Sequence, residues 1–355
     1  MTATTHPKFN DKTEAMDVAK AFAELISGRT ILVTGVNRGG IGFTTVEAFA
    51  SQSPAHIIVA GRSESKLHQS ISALHSKFPS VDYRPLRVDL SSQKSVRTAA
   101  AEVLSWSDVP SIDIIVNSAG IMHLPERTVS ENGIEMHFAT NHIGHFLLTC
   151  LLVPKLLQAK GGARVVNVSS ASPMLAQGIR WSDVNFSKPN KDLPAEEQPV
   201  YDIHRAWGAT GELEEKSYLP LEGYNQSKIA NVLFAIATTK RLHGCGVLSL
   251  AVHPGIIQTE LGRNMEADTV NALEGLMETG VYKFRTAGAG AATSLVAALD
   301  PKLGVGEVRD GKENYGIFLA DCQINDGGNP RTVSSKEAEK LWALSEELVK
   351  EKFEW

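Results

Sequence analysis

Tyr224 and Lys228 stand four residues apart at the start of an apolar run, Tyr224-Asn225-Gln226-Ser227-Lys228-Ile229-Ala230-Asn231-Val232-Leu233-Phe234-Ala235. Residues i and i+4 share a helix face, so the phenol and the ammonium project into the same space. A free tyrosine, with a pKa of about 10, is a sluggish proton donor at neutral pH, but a fixed positive charge nearby favours the phenolate and brings the group toward working range. The pair is therefore a tunable general acid. The spacing also arises by chance, so the rest of the chain has to support it.

Far upstream, Ile31-Leu32-Val33-Thr34-Gly35 reads as a buried strand running into Gly35, Gly39, Gly40 and Gly42, with a helical pattern from Phe43 to Ser51. Glycines let the backbone approach a pyrophosphate, and a helix N-terminus supplies N–H groups and partial positive charge. Tight turns use glycine as well, but the placement between a first strand and a first helix points to a dinucleotide. At the end of the second strand a site that selects NAD usually carries an acid for the ribose hydroxyls, whereas here the residues are Val59-Ala60-Gly61-Arg62. Arg62 suits a 2'-phosphate, which makes NADPH/NADP+ the expected cofactor. Arg38, inside the glycine turn, offers a second positive group at the same phosphate. A solvated surface charge is the other reading of either arginine.

The elements that must position these groups follow from the alternation of short β-branched runs with longer helical patterns between Thr30 and Leu319, which predicts βαβ units. Strands are expected at Thr30 to Thr34, His56 to Ala60, Asp82 to Val88, Ile112 to Asn117, Ala163 to Ser169, Val247 to His253 and Tyr315 to Leu319. The fold class is α/β: a Rossmann-type, doubly wound parallel sheet of about seven strands with helices on both faces. Such sheets place ligands outside the carboxyl ends of their strands, where the informative residues fall. The chain is read as a single domain, 1–355, with three additions. Residues 1–28 form a helical extension whose Ala15, Val18, Phe22 and Ile26 make one face, residues 171–223 an insertion expected to cover the substrate cleft, and residues 334–352 a terminal helix carrying Leu341, Leu344, Leu348 and Val349.

With 355 residues, 43% of them hydrophobic, the chain has ample material for a core. A net charge of −5 with both signs scattered gives no basic stripe, so no nucleic-acid partner is expected. No run approaches the roughly 18 apolar residues of a membrane span, and the first residues do not read as a secretory leader. Cys150, Cys245 and Cys322 are widely spaced, which argues for reduced thiols and against a disulfide frame or metal site. A cytoplasmic location is expected. His142 and His145 are three apart, a spacing that can hold a metal on a helix, but no third ligand is evident and no metal is expected.

These residues resemble the classical short-chain dehydrogenase/reductase family over roughly Gly28 to Leu319. Thr34 to Gly42, with Gly35, Asn37, Arg38, Gly40, Ile41 and Gly42, is similar to the family's glycine turn, although Gly40-Ile41-Gly42 sits one residue later than usual. Asp89-Leu90 matches the family's adenine contact, and Asn117-Ser118-Ala119-Gly120 is similar to its Asn-Asn-Ala-Gly motif with one position changed. Asn141 matches the family's catalytic asparagine and Ser170 its catalytic serine, while Pro254-Gly255-Ile256-Ile257-Gln258-Thr259 completes the cofactor set. Ile179 to Phe186 is similar to a segment of the retinol-dehydrogenase-like and WW-domain-oxidoreductase-like branch, which includes many fungal enzymes.

The resemblance implies catalytic roles for Asn141, Ser170, Tyr224 and Lys228. Tyr224 would give the proton, with Ser170 as second donor at the substrate oxygen. Lys228 would lower the Tyr224 pKa and hold the nicotinamide ribose, and Asn141 a water. Thr259 would meet the carboxamide, and Asn117 would lie behind it. The expected function is NADPH-dependent reduction of a ketone or aldehyde, reversible, on a bulky apolar or aromatic small molecule such as a secondary-metabolite intermediate, a retinoid or a steroid. Tyr201, Trp207 and Tyr218 of the insertion favour such a substrate. The alternatives are a non-catalytic NADP-binding sensor or scaffold, and an epimerase or dehydratase that uses its cofactor transiently. A monomer or homodimer is expected.

Overall fold

The computed structural model describes residues 2–355. Twelve strands occur in chain order: β1 Thr30–Thr34, β2 His56–Gly61, β3 Asp82–Arg87, β4 Ile114–Asn117, β5 Ala163–Val168, β6 Val247–His253, β7 Ile256–Ile257, β8 Phe284–Arg285, β9 Glu307–Arg309, β10 Lys312–Tyr315, β11 Phe318–Ala320 and β12 Gln323–Ile324. Eight of them form one sheet in the order β12-β11-β6-β5-β4-β1-β2-β3. Every pair is parallel except β11 with β12. The central strands are buried on both faces, which is why Ile31-Leu32-Val33 and Val165-Val166 read as continuous apolar runs rather than alternating ones.

The sheet differs from the sequence reading at its far edge. Tyr315 belongs to the separate β9–β10 hairpin, and the sheet strand begins at Phe318 and turns back through Asp321 and Cys322 into β12. Both turn residues have positive φ, so a tight reversal makes an eighth, antiparallel edge strand. The third strand stops at Arg87, before Val88, and the fourth starts at Ile114 rather than Ile112.

The helices are α1 Ala15–Ala21, α2 Ile41–Ala50, α3 Glu64–Lys77, α4 Gln93–Ser105, α5 Gly144–Leu156, α6 Ser172–Leu175, α7 Tyr201–Ala206, α8 Pro220–Leu242, α9 Ala267–Glu278, α10 Ala287–Leu299 and α11 Ser335–Val349. Helix starts are set locally. Ser63, Ser92, Thr286 and Ser334 each accept a backbone N–H from the first turn of the helix that follows. The N-terminal residues Ala15, Val18, Phe22 and Ile26 are buried, and α1 packs on α2 and α10. At the other end, α11 lies along α8, where Trp342 stacks on Phe234 and meets Phe146 edge-on. Helix α8 is thereby buried along almost its entire length.

Order reverses across β1, which has β2 on one side and β4 on the other, so a crevice opens at the carboxyl ends of β1 and β4. Gly35 and Ala119 cross there so closely that a Cβ on Gly35 would sit 2.6 Å from the Ala119 Cα. Thr34 Oγ1 ties the two strand ends together by accepting the N–H groups of Ser118 and Ala119, each at 3.0 Å.

Candidate active site

The crevice holds two adjoining cavities. One, of about 350 Å³, runs over the ends of β1, β2 and β4; the other, of about 1100 Å³, lies beneath α7 and α9. Ser170 and Tyr224 line both cavities, and Lys228 lines the smaller one only.

The glycine turn is built from its own backbone. Asn37 N–H donates to Gly35 O and Gly40 N–H to Asn37 O, with Gly35 and Gly39 in the left-handed region at φ +74° and +80°. This small loop absorbs the additional residue noted in the sequence, and Arg38 projects from its exposed tip. Gly42 must lack a side chain because a Cβ there would lie 2.6 Å from Gly35 O, so the first turn of α2 sits directly against the end of β1. The smaller cavity is lined by Gly35, Asn37, Arg38, Gly40, Ile41, Gly42, Arg62, Asp89, Leu90, Ala119, Gly120, Pro254, Gly255, Ile257 and Thr259. A bare helix N-terminus at its floor and arginines at its rim fit a dinucleotide with an added phosphate. Arg38 and Arg62 are exposed, and no hydrogen bond or ion pair engages either guanidinium among the described residues. Ser63 and Lys66, which the sequence reading did not single out, lie beside them. Their signal was the Ser63 helix cap immediately after Arg62, with Lys66 one turn on.

Two expected site residues sit behind the cavity walls. Asn117 is buried and gives its amide to Thr149 Oγ1 and Asn167 Oδ1, at 3.1 and 2.9 Å. Asn141 lies in a π-helical segment, Phe138–Ile143, at the entry to α5. Its side chain accepts from Ile121 N–H at 2.9 Å and donates to Ile121 O and Ser227 Oγ, so it clamps the loop after β4 onto α8. Neither lines the cavity wall directly, although a Cβ on Gly120 would lie 3.3 Å from Asn141 Oδ1 and 3.5 Å from Lys228 Nζ. His145 joins the same framework: Nε2 lies 2.9 Å from Thr34 Oγ1 and Nδ1 2.9 Å from Asn141 O. His142 instead reaches Ser345 Oγ on α11 at 2.8 Å. Burial lowers both imidazoles, His145 to about 4 and His142 to about 3, which leaves them neutral.

Tyr224 and Lys228 occupy successive turns of α8, with Lys228 Nζ 5.7 Å from the Tyr224 ring centre. Lys228 Nζ donates to Val168 O at 2.8 Å, and burial lowers its pKa from 10.5 to about 8. For Tyr224 the outcome departs from the expectation of a lowered pKa. Burial raises the phenol above its ordinary 10, against a hydrogen bond with Ser170 that works to lower it. In the protein alone the tyrosine is therefore a protonated donor at neutral pH.

The larger cavity is mostly apolar. Met122, Trp207, Leu221, Leu261, Met265, Leu273 and Met277 face it, with His253 at the end of β6. Of the three insertion aromatics, Trp207 alone lines it. Tyr218 donates to Leu124 O at 2.9 Å and packs on Phe186, and the buried hydroxyl of Tyr201 has no hydrogen-bond partner among the described residues. Helix α9 contributes Val270, Leu273 and Met277 to the wall, and of its residues only Thr269 is buried. Those apolar positions fall at helical spacing, a signal the sequence carried and the element-by-element reading passed over.

Comparison with known proteins agrees with this fold. The short chain dehydrogenase family model matches residues 29–180. Oxidoreductase fscI of Fusarium equiseti is 37% identical over 250 residues, covering 70% of this chain and 94% of that protein. Retinol dehydrogenase 12 of Homo sapiens is 33% identical over 324 residues, covering 91% of this chain and 87% of that one. A crystal structure of an uncharacterized protein from Mycobacterium paratuberculosis superposes with a TM-score of 0.61 at 26% identity, over 93% of this chain and 96% of the other. The chain belongs to the short-chain dehydrogenase/reductase family and is retinol-dehydrogenase-like. Members are oxidoreductases that use nicotinamide cofactors on small molecules. No helix among the described residues is long and apolar enough to cross a membrane.

Proposed function

We propose that the protein is an NADPH-dependent carbonyl reductase, reversible in principle, acting on a bulky apolar or aromatic ketone or aldehyde. The observation that carries this reading is the position of the Ser170 and Tyr224 hydroxyls on the wall common to both cavities, with Lys228 one turn behind. Bound in the smaller cavity, the nicotinamide would supply or accept the hydride. Gly35, Asn37, Gly40, Ile41 and Gly42 would cradle its phosphates, Asp89 and Leu90 its adenine end, and Ala119, Gly120, Pro254, Gly255, Ile257 and Thr259 its nicotinamide end. Arg62, with Arg38, would take the 2'-phosphate; the absence of an acid at this strand end and two uncommitted guanidiniums support NADP over NAD.

Tyr224 gives its proton to the substrate oxygen as negative charge develops there, and Ser170 donates a second hydrogen bond to the same atom. Lys228 holds the phenol in an electropositive setting and anchors the ribose. Asn141 acts at one remove, by fixing the Ile121 loop against α8. Asn117 likewise supports the cofactor floor from behind. An unpaired buried lysine beside a protonated tyrosine favours catalysis over a sensor or scaffold role, which requires neither.

The substrate class follows from the apolar walls of a cavity of about 1100 Å³. One relative's name refers to retinol, itself a long apolar alcohol, and a secondary-metabolite carbonyl fits the same space. Helix α11 covers the outer face of α8, which supports a monomer. Three free thiols support a cytoplasmic setting. The direct experiment is NADPH and NADH consumption by the purified protein against aromatic ketones, aldehydes and quinones, with Tyr224→Phe in parallel. Tyr224-dependent NADPH loss supports the reductase; cofactor binding with no turnover on any carbonyl shifts the weight to alcohol oxidation, internal redox chemistry or a non-catalytic role.

A further inference from the structure

An unbroken hydrogen-bonded chain leads from Ser170 into the insertion. Ser170 Oγ lies 2.6 Å from Ser172 Oγ, and Ser172 Oγ donates to Asn225 Oδ1 at 2.7 Å. Asn225 Nδ2 donates to Glu222 Oε2 at 3.4 Å, and the same oxygen lies 2.9 Å from His204 Nε2 on α7. Ser172, Asn225, Glu222 and His204 are only 2%, 4%, 6% and 2% exposed, so water does not compete for these contacts.

The acid at the far end sets the direction of the chain. An ionised carboxylate accepts only, so Asn225 turns its nitrogen toward Glu222 and its oxygen toward Ser172. Ser172 has a single proton, which goes to that oxygen, so its own oxygen can only accept, and it holds the Ser170 proton until a substrate oxygen bound beside Ser170 and Tyr224 takes that hydrogen bond in its place. Ser170 Oγ also accepts from Ser172 N–H at 3.0 Å, which fixes its rotamer and leaves one lone pair for Tyr224. We infer that the Glu222–His204 pair, acting through Asn225 and Ser172, positions the Ser170 hydroxyl and thereby makes the insertion part of the reaction machinery. The neighbours of His204 on the same segment, Ile203 and Trp207, wall the substrate cavity, so one element both shapes that space and anchors the chain. The inference rests on the reading of Ser170 as a catalytic contact. Ser172, Asn225, Glu222 and His204 are positioning residues.

A double-mutant cycle tests it, because residues acting through Ser170 lose their effect when Ser170 is absent. Ser172→Ala breaks the chain at one hydroxyl with least risk to folding, and Glu222→Leu removes its anchor. Each is measured alone and with Ser170→Ala, reading kcat for a carbonyl substrate and NADPH affinity by fluorescence. Each single variant should lose about tenfold in kcat with NADPH affinity within about twofold, and neither should lower the residual rate of Ser170→Ala. Glu222→Gln, whose amide oxygen can take both hydrogen bonds, should recover most of the rate. Equal losses in the two backgrounds, or an unchanged or raised kcat in Ser172→Ala, would overturn the inference. Full turnover in Ser170→Ala alone would instead remove the underlying catalytic reading.

Discussion

Lys228→Met should make the protein more stable at neutral pH while removing its turnover. The Lys228 ammonium is buried with no carboxylate paired to it among the described residues, and its pKa falls from 10.5 to about 8 through burial alone. At roughly 1.4 kcal/mol for each tenfold change in proton affinity, keeping that charge buried costs about 3 kcal/mol at pH 7. Methionine matches the length of the side chain and carries no charge. The hydrogen bond lost, to Val168 O, is worth roughly 1 kcal/mol, and Val168 O keeps a second donor in Asn231 Nδ2 at 3.1 Å. The net gain is therefore about 2 kcal/mol. Its pH dependence has a definite sign: a lysine whose folded pKa is depressed binds fewer protons folded than unfolded between about pH 8 and 10.5, so the wild type gains stability as pH rises through that window. The advantage of the variant should be complete below pH 8 and largely gone by pH 10.5. Urea denaturation of the cofactor-free proteins at pH 7 and pH 10, with steady-state rates alongside, measures both effects. A variant less stable than wild type at pH 7, or an advantage that grows toward pH 10, would refute the reasoning.

Other expectations are as direct. Tyr224→Phe should abolish turnover and leave cofactor affinity within a few fold, as checked by rate assays and fluorescence titration. Arg62→Ala should raise the KM for NADPH about tenfold or more with little change for NADH, consistent with loss of one charge-assisted contact; equal effects on both cofactors would remove the phosphate role. Gly144→Ala should destabilise the fold by about 2 kcal/mol in thermal melts, since its Cβ would fall 2.2 Å from Leu90 O. Light scattering should give the mass of a single chain, 38.3 kDa, because α11 occupies the outer face of α8.

Much of this architecture was legible because local and global signals coincide. Gly35 to Gly42, Arg62 and the Tyr224–Lys228 spacing each belong to one strand end or one helix face, so short-range pattern alone places them. The contacts the sequence reading did not place act across elements. His204 and Glu222 are eighteen positions apart and meet only once the insertion folds back on α8. Asn141 lies in a π-helical stretch that hydrophobic periodicity cannot distinguish from ordinary helix, and its side chain supports the loop at Ile121 rather than opening onto the cavity. The edge strand Gln323–Ile324 is two residues long and depends on positive φ at Asp321 and Cys322; Asp is a common turn residue, but Cys in the left-handed region gives no warning of a reversal. The fall of the Lys228 pKa and the rise of that of Tyr224 both come from burial, a property of the assembled core that no spacing reveals.

The most direct test of the central claim is the fate of a label. NADPH deuterated at the transferable C4 position would be incubated with a carbonyl substrate found active in the panel, and the alcohol product weighed by mass spectrometry. A carbonyl reductase requires one deuterium on the former carbonyl carbon, formed by wild type and not by Tyr224→Phe. An unlabelled product, with deuterium still on the nicotinamide, would contradict the account.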